Sequence, residues 1–344
     1  MRIILIATLI CTSCCLSCQQ SNNNLAIATA DAMPAAARST RSVPATETPS
    51  ASNIIYQSPD GGQTWHDVSN GLPTKFDPIR SVVRNGEIVL SSLNNGVYAS
   101  YTGLTPPVWQ SKTIVKGTVD NIFVLKSGLV IRDDQHNYLQ EVMGTCAWIP
   151  AFQSLKEKMV FCMIESGNAL VAGSEGGIIR STDGGVSWDR VFDDQYILQI
   201  IESGGNLIAV GHTGMLVSGD GGKHWEKSPL VGVEVMKAGR LGGGGLFAIV
   251  NAATKRTERK SQVYTSVDNG KSWQAVDKAV LPFDFCTDFV QFGDQWVCCH
   301  EGGISASPDQ GKTWQPVLKL EGENNRADLI VADGIIYAMM SFGC

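Results

Sequence analysis

Five stretches of the chain repeat one eight-residue pattern: a serine, an aspartate two places on, a glycine two places after that, and a closing tryptophan. The copies are SPDGGQTW (Ser58, Asp60, Gly62, Trp65), STDGGVSW (Ser181, Asp183, Gly185, Trp188) and SGDGGKHW (Ser218, Asp220, Gly222, Trp225). SVDNGKSW (Ser266, Asp268, Gly270, Trp273) and SPDQGKTW (Ser307, Asp309, Gly311, Trp314) complete the set. Each residue type has a mechanical reason to recur. The Asp carboxylate accepts backbone N–H bonds from the residues just after it and closes an Asx-type turn. The Gly supplies positive φ where a side chain would clash. The Trp opens the outgoing strand, buries a large ring and has one indole N–H for a polar partner. An active site needs one catalytic acid, whereas this Asp serves every unit alike, so it reads as a turn staple.

Two weaker copies extend the series. Ser100–Trp109 keeps the Ser, a Gly and the Trp but lacks the Asp, and Val142–Trp148 keeps little beyond Gly144 and Trp148. Seven of the eight tryptophans then fall on one grid, with spacings of 37 to 48 residues. That period is the length of a four-stranded propeller blade. The expected strands in one unit are Ile197–Glu202 (A), Asn206–Val210 (B) and Met215–Ser218 (C), with D running from Trp225. The folded part opens on a C-like strand, Asn53–Gln57, and closes on A- and B-like strands, Ala327–Val331 and Ile335–Ser341. The two ends together make one blade, and such closure removes exposed sheet edges. The expectation is an all-β, seven-bladed β-propeller over residues 53–344, a single domain of the size closed all-β folds reach. With 36 glycines and only 17% charged residues, the composition suits many short strands and tight turns.

The segments ahead of it read differently. Arg2, the apolar stretch Ile3–Cys11 and the small residues to Cys18 form a secretory signal over residues 1–18, with an apolar core too short to span a bilayer. Cys15-Leu16-Ser17-Cys18 resembles a bacterial lipobox, which makes Cys18 the expected acylated residue and the chain an exported, lipid-anchored protein. Leu16 stands one place closer to the cysteine than in that pattern, so Cys14 and Cys15 are competing acceptors, and an ordinary cleaved signal is the alternative. Residues 19–52, rich in Asn, Ala, Ser, Thr and Pro, read as a linker that cannot bury enough surface to order itself.

The repeated octapeptide resembles the Asp-box, or BNR repeat, of sialidases, sortilin-type receptors and photosystem II assembly factors of the Ycf48/Hcf136 type. The stretch Gly173–Trp188 (GSEGGIIRSTDGGVSW) and the turn Gly211–Ser218 (GHTGMLVS) are most similar to the last group. That resemblance implies a non-catalytic assembly scaffold contacting a protein partner. The alternative it leaves open is a sialidase-like exo-glycosidase, whose chemistry needs an arginine cluster, a Tyr–Glu nucleophile and an acid/base Asp. Members of that class carry a Phe/Tyr-Arg-Ile-Pro motif before the first complete box. Here Pro78-Ile79-Arg80-Ser81 follows the first box in another order, and no catalytic residue is assigned.

Function is expected on the end of the ring opposite the boxes. Lys255, Arg256, Arg259 and Lys260 make a basic B-to-C loop in an otherwise acidic chain, a candidate contact for an acidic protein partner or a lipid headgroup, with a solvated charged loop as the alternative. Arg132–Asn137 (RDDQHN) is an acidic turn able to offer oxygens to a hard cation, or a plain polar turn. Cys298-Cys299-His300 lacks tetrahedral zinc geometry because adjacent residues of a strand face opposite ways. No metal or cofactor site is expected. A net charge of −6 repels phosphate, so nucleic acid is not an expected partner, and a monomer is expected. The mature domain's six cysteines allow fifteen pairings; Cys286 and Cys299 are the expected neighbours, across a hairpin turning at Gly293-Asp294, with buried free thiols as the alternative to a disulfide.

Overall fold

The structure is a computed structural model and describes residues 53–340, apart from 113–117, 146, 158, 194, 254–259, 278–279 and 321–325. Its 28 strands form seven antiparallel four-stranded sheets, and the only helical element among the described residues is a single 3-10 turn at Gly242–Gly244. Numbered along the chain, blades 1 to 6 are continuous, each laid out A-B-C-D. Blade 7 takes strands A and B from Ala327–Ala332 and Ile335–Met340, and strands C and D from Ile55–Ser58 and His66–Asp67. The seam between the two chain ends is in register, with Ile55 opposite Met339 and Ser58 opposite Ile336. The ring is therefore closed by both ends of the domain, inside one sheet.

The burial of each strand follows from its place in the blade. Strand B lies between A and C and has a neighbouring blade on each face, so its middle positions are buried and apolar or small. Ala169–Ser174 and Ile335–Met340 are buried at every position. Strand D is the outer edge and is short and exposed in His66–Asp67, Gln110–Ser111 and Gln274–Ala275, though it runs to six residues in blade 4 (Glu226–Val231).

The core divides into seven clusters, each lying between two successive blades. Every cluster holds one tryptophan of the grid: Trp109 between blades 7 and 1, Trp148 between 1 and 2, and Trp188 between 2 and 3. Trp225, Trp273, Trp314 and Trp65 follow in order around the ring. Each ring packs back onto the preceding blade, so the tryptophan grid of the sequence is an interblade device. The box tryptophans are half-buried rather than fully enclosed, because strand D leaves one ring edge to solvent, whereas Trp109 is only 8% exposed.

The octapeptide turns share one hydrogen-bond plan. In the blade 3 copy, Ser181 Oγ accepts from Gly185 N (2.9 Å) and donates to Asp183 Oδ1 (2.7 Å). Asp183 in turn accepts from Ser187 N (2.9 Å) and Ser187 Oγ (2.6 Å). Ser58, Asp60 and Thr64 repeat the plan, as do Ser218, Asp220 and His224. So do Ser266, Asp268 and Ser272, and Ser307, Asp309 and Thr313. Asp60, Asp183 and Asp220 are exposed and Asp268 and Asp309 half-buried; the serines are the buried members. Gly185 (φ +89°) and Gly222 (φ +80°) are confined by more than their φ: a Cβ would meet Phe152 at 2.3 Å and Val171 at 2.8 Å, both outside the glycine's own blade. The indoles of Trp65, Trp188, Trp225 and Trp273 donate back to their own box glycine's carbonyl at 3.1–3.2 Å, while that of Trp314 reaches Val280 O. Hydrogen bonds from the Ser187 and Ser272 hydroxyls, then from their backbone N–H groups, hold the Asp183 and Asp268 carboxyls down at about 2. These turns stay charged above the ordinary Asp range and lose that contribution only as the pH falls toward 2.

In blade 1, where the Asp is missing, the buried Ser100 Oγ accepts instead from Val108 N (2.9 Å) across a longer loop. That loop reaches blade 7, with Thr102 bonded to Asp333 and the Gln57 amide donating to Leu104 O.

Candidate functional site

Strands A ring the axis. Six of the seven break their pairing with strand B at one level, leaving an extra residue: Ile79, Asp120, Phe161, Leu198, Met236 and Thr287. The residue that follows each bulge is Arg80, Asn121, Cys162, Gln199, Lys237 or Asp288, and Asp328 holds the matching place in unbulged blade 7. These side chains form a belt joining blade to blade. Asn121 Nδ2 donates to Val160 O and Phe161 O (both 3.2 Å), and Gln199 Oε1 accepts from Ala238 N (3.1 Å). Asp288 Oδ2 accepts from Leu329 N (2.7 Å) and Oδ1 from Phe289 N (2.8 Å). Lys237 Nζ spans two further blades, donating to Asp288 Oδ2 (2.5 Å) and Asp328 Oδ1 (2.8 Å). Arg80 reaches from blade 1 to Phe161 O of blade 3 (3.1 Å). Arg132 bonds Asp120 (2.8 Å) and Val160 O (2.9 Å).

The electrostatics of the belt are set by one buried carboxylate. Asp288 is 1% exposed, and burial pushes its carboxyl up against the pull of Lys237. Burial acts the same way on Asp328, but Lys237 and then Arg80 outweigh it and hold that group below the usual range. For Lys237, burial would lower the ammonium, yet Asp288 and Asp328 together raise it above an ordinary lysine. Each of these charges is committed to a neighbour across a blade boundary.

A different kind of surface lies at the far end of the ring, where the B-to-C turns and D-to-A connections emerge. Between blades 3 and 4 is a depression of about 400 Å³ lined by Glu175, Gly176, Gln195, Tyr196, His212 and Thr213. It runs into a smaller one of about 200 Å³ that reaches Phe192, Met215 and Lys227. Gln195 Oε1 fixes the floor by accepting from Thr213 N (2.8 Å) and Oγ1 (2.6 Å). Tyr196 is 51% exposed and meets Phe161, a bulge residue near the axis, edge to face at 6.3 Å. His212 Nδ1 stands 3.5 Å from Glu234 Oε1 at the rim. The two segments whose sequences resemble the assembly-factor propellers supply the two walls, Glu175-Gly176 and His212-Thr213.

The other residues singled out from sequence fall as follows. The box residues lie on the opposite end, in C-to-D turns. Of the basic loop, Lys260 is described and its carbonyl accepts from Ala252 N (2.8 Å); Lys255, Arg256 and Arg259 lie outside the described residues, as does Cys18. Asp133 closes its own turn, taking bonds from Gln135 N (2.9 Å), Asn137 N (2.8 Å) and Asn137 Nδ2 (3.0 Å), so its oxygens are in use. No group of three metal-binding side chains occurs among the described residues. His300 stacks on Phe283 and contacts Ser305 Oγ (2.8 Å), and burial lowers its imidazole to about 4. The expected Cys286–Cys299 neighbourhood is corrected. The bulge at Thr287 turns Cys286 toward Cys298, with the sulfurs 2.8 Å apart, while Cys299 faces the core between blades 6 and 7.

The geometry defines a seven-bladed β-propeller with stapled outer turns on one end, a polar belt around its axis and an open depression on the other end. No family model matches the chain, and no curated protein matches it. Among solved structures it is similar to YCF48 bound to a D1 peptide, with TM-score 0.55 and 17% identity, covering 79% of this chain and 95% of that one. It is also similar to YCF48 from Cyanidioschyzon merolae, with TM-score 0.55 and 14% identity over 78% and 96% of the two chains. The GH74 enzyme of Niastella koreensis gives TM-score 0.51 at 14% identity, covering 70% of this chain but 37% of the enzyme. At these identities the likeness is one of fold.

Proposed function

We propose that the chain is a non-catalytic binding and assembly scaffold, exported and tethered to a membrane through an acylated Cys18, that contacts a protein partner with the end of the ring opposite the boxes. The observation that carries this reading is the far-end depression, with a half-exposed tyrosine set among ordered polar turns. Such a surface offers a flat aromatic anchor with few rotatable bonds, the residue type on which binding energy concentrates. Lys260 belongs to the same end and would meet acidic groups of the partner. Strand C of blade 7 begins at that end, so the stretch leading back to Cys18 joins the domain there. An anchored scaffold would then present this face toward membrane-associated partners. The solved likeness to a propeller bound to a peptide is in keeping with this use.

The GH74 likeness favours examining a glycosidase. Against it, the axial carboxylates Asp288 and Asp328 share Lys237, and Arg80 and Arg132 are engaged with backbone carbonyls. A glycosidase needs one carboxyl free to give a proton and a second free to attack or to activate water. Purified protein incubated with a fluorogenic sialoside and a panel of glycosides is expected to give rates equal to buffer. Turnover that disappears on Arg80→Ala or Asp288→Asn would replace the scaffold reading with an enzymatic one.

A further inference from the structure

Cys286 opens strand A of blade 6 (Cys286–Phe292) and Cys298 lies in strand B (Gln295–His300). Both are buried, at 1% and 0% exposure, in the apolar core between blades 5 and 6 with Phe247, Ile249 and Phe289. Their sulfurs are 2.8 Å apart, brought together because the bulge at Thr287 puts Cys286 on the side of Phe289, whose cross-strand partner is Cys298. Nothing among the described residues around them makes a nucleophile: no cation there adjoins them, and burial pushes the Cys298 thiol well above its ordinary value. A metal is also unsupported, since Cys299 turns to the other core and no third ligand joins the pair among the described residues.

Two enclosed thiols in contact, with no third metal-binding side chain joining them among the described residues, are placed for oxidation to a disulfide. We propose that Cys286 and Cys298 form a disulfide joining strands A and B of blade 6 when the domain folds in the presence of a disulfide-bearing oxidant. One thiolate attacks the oxidant's S–S bond, giving a mixed disulfide and releasing one oxidant thiol. The second protein sulfur then attacks the mixed disulfide, the Cys286–Cys298 bond forms, and the second oxidant thiol leaves. Two electrons pass to the oxidant and the two protons end on its thiols. Closing the contact to a bond of about 2.05 Å moves the sulfurs by less than about 1 Å. Exchange needs a thiolate, so the bond belongs to folding, before blade 5 packs over the pair, and is afterwards shielded from reductants.

The test is to refold the full chain in a glutathione redox buffer, block free thiols, and map the peptides by mass spectrometry after chymotrypsin digestion. The expected map joins the Cys286 and Cys298 peptides, keeps that link in Cys299→Ala, and loses it in Cys298→Ala. The oxidised protein should melt about 5 °C above the reduced one, from closing a loop of this length. Blocked thiols at both Cys286 and Cys298, or either one linked to a different cysteine, would overturn the proposal. Cys298 and Cys299 share one peptide, so the Cys299→Ala map decides this even if Cys298→Ala fails to fold.

Discussion

Replacing Lys237 with methionine is expected to cost the domain about 3–5 kcal/mol, the penalty for removing one partner of a buried ion pair. Methionine keeps the length of the side chain but not the charge. Asp288 would then stay enclosed with no counterion, and it would face Asp328 without the ammonium that now sits between them. Urea unfolding should show the loss as a lower midpoint with an unchanged slope. Lys237→Met combined with Asp288→Asn should recover most of it, because the uncompensated charge is removed together with its partner. The pH dependence has a definite sign. A lysine raised above its unfolded value stabilises the fold below about pH 10.5 and loses that contribution as the pH climbs through the folded value. Wild type should therefore weaken at high alkaline pH more steeply than Lys237→Met. A single variant within about 1 kcal/mol of wild type would show that the belt holds nothing together.

Trp109→Ala should be of similar size, about 3–5 kcal/mol for emptying a buried tryptophan site. Trp109 packs where the ring closes, against Ile54, Ile55 and Val68 from the start of the domain and Ile335, Tyr337 and Met339 from its end. Its indole also donates to Val68 O at 2.8 Å. The cavity would thus open along the one seam where no chain connection holds C to B. Trp188→Ala makes the comparison. Its ring is half-buried and its blade is continuous, so its midpoint should fall less. Equal or reversed shifts would mean that box identity, rather than enclosure at the seam, sets the importance of each tryptophan.

The repeat was legible because a stapled turn needs fixed residue types at fixed spacing. Ser, Asp, Gly and Trp therefore announce each blade, and blade count and closure follow. The weight within the turn was not legible: the sequence points to Asp183, yet it is Ser181 that is buried and bonded to a buried amide. The belt was hidden for a related reason. Arg80, Asn121, Gln199, Lys237, Asp288 and Asp328 share a level around the axis but no residue type. What aligns all of them but Asp328 is a bulge, which leaves no mark in composition. The same bulge moved the cysteine contact from Cys299 to Cys298. A polar residue two places beyond the start of strand A in blades 1, 2, 4, 5 and 6 was the available signal. Tyr196 had no signal, since an exposed aromatic in a loop looks like any other until two turns are seen to frame it.

The most direct test of the binding account is to place a photo-crosslinking amino acid at Tyr196, and separately at Val267 on the box end, in the anchored protein in its own cells. Val267 is the control because it is also highly exposed, at 92%, and lies in a box turn. The account predicts a discrete protein adduct from position 196, weakened by changing Lys255, Arg256, Arg259 and Lys260 to serine, and no matching adduct from position 267. The same adduct from position 267, with none from 196, would contradict it and move the working surface to the end of the ring that carries the boxes.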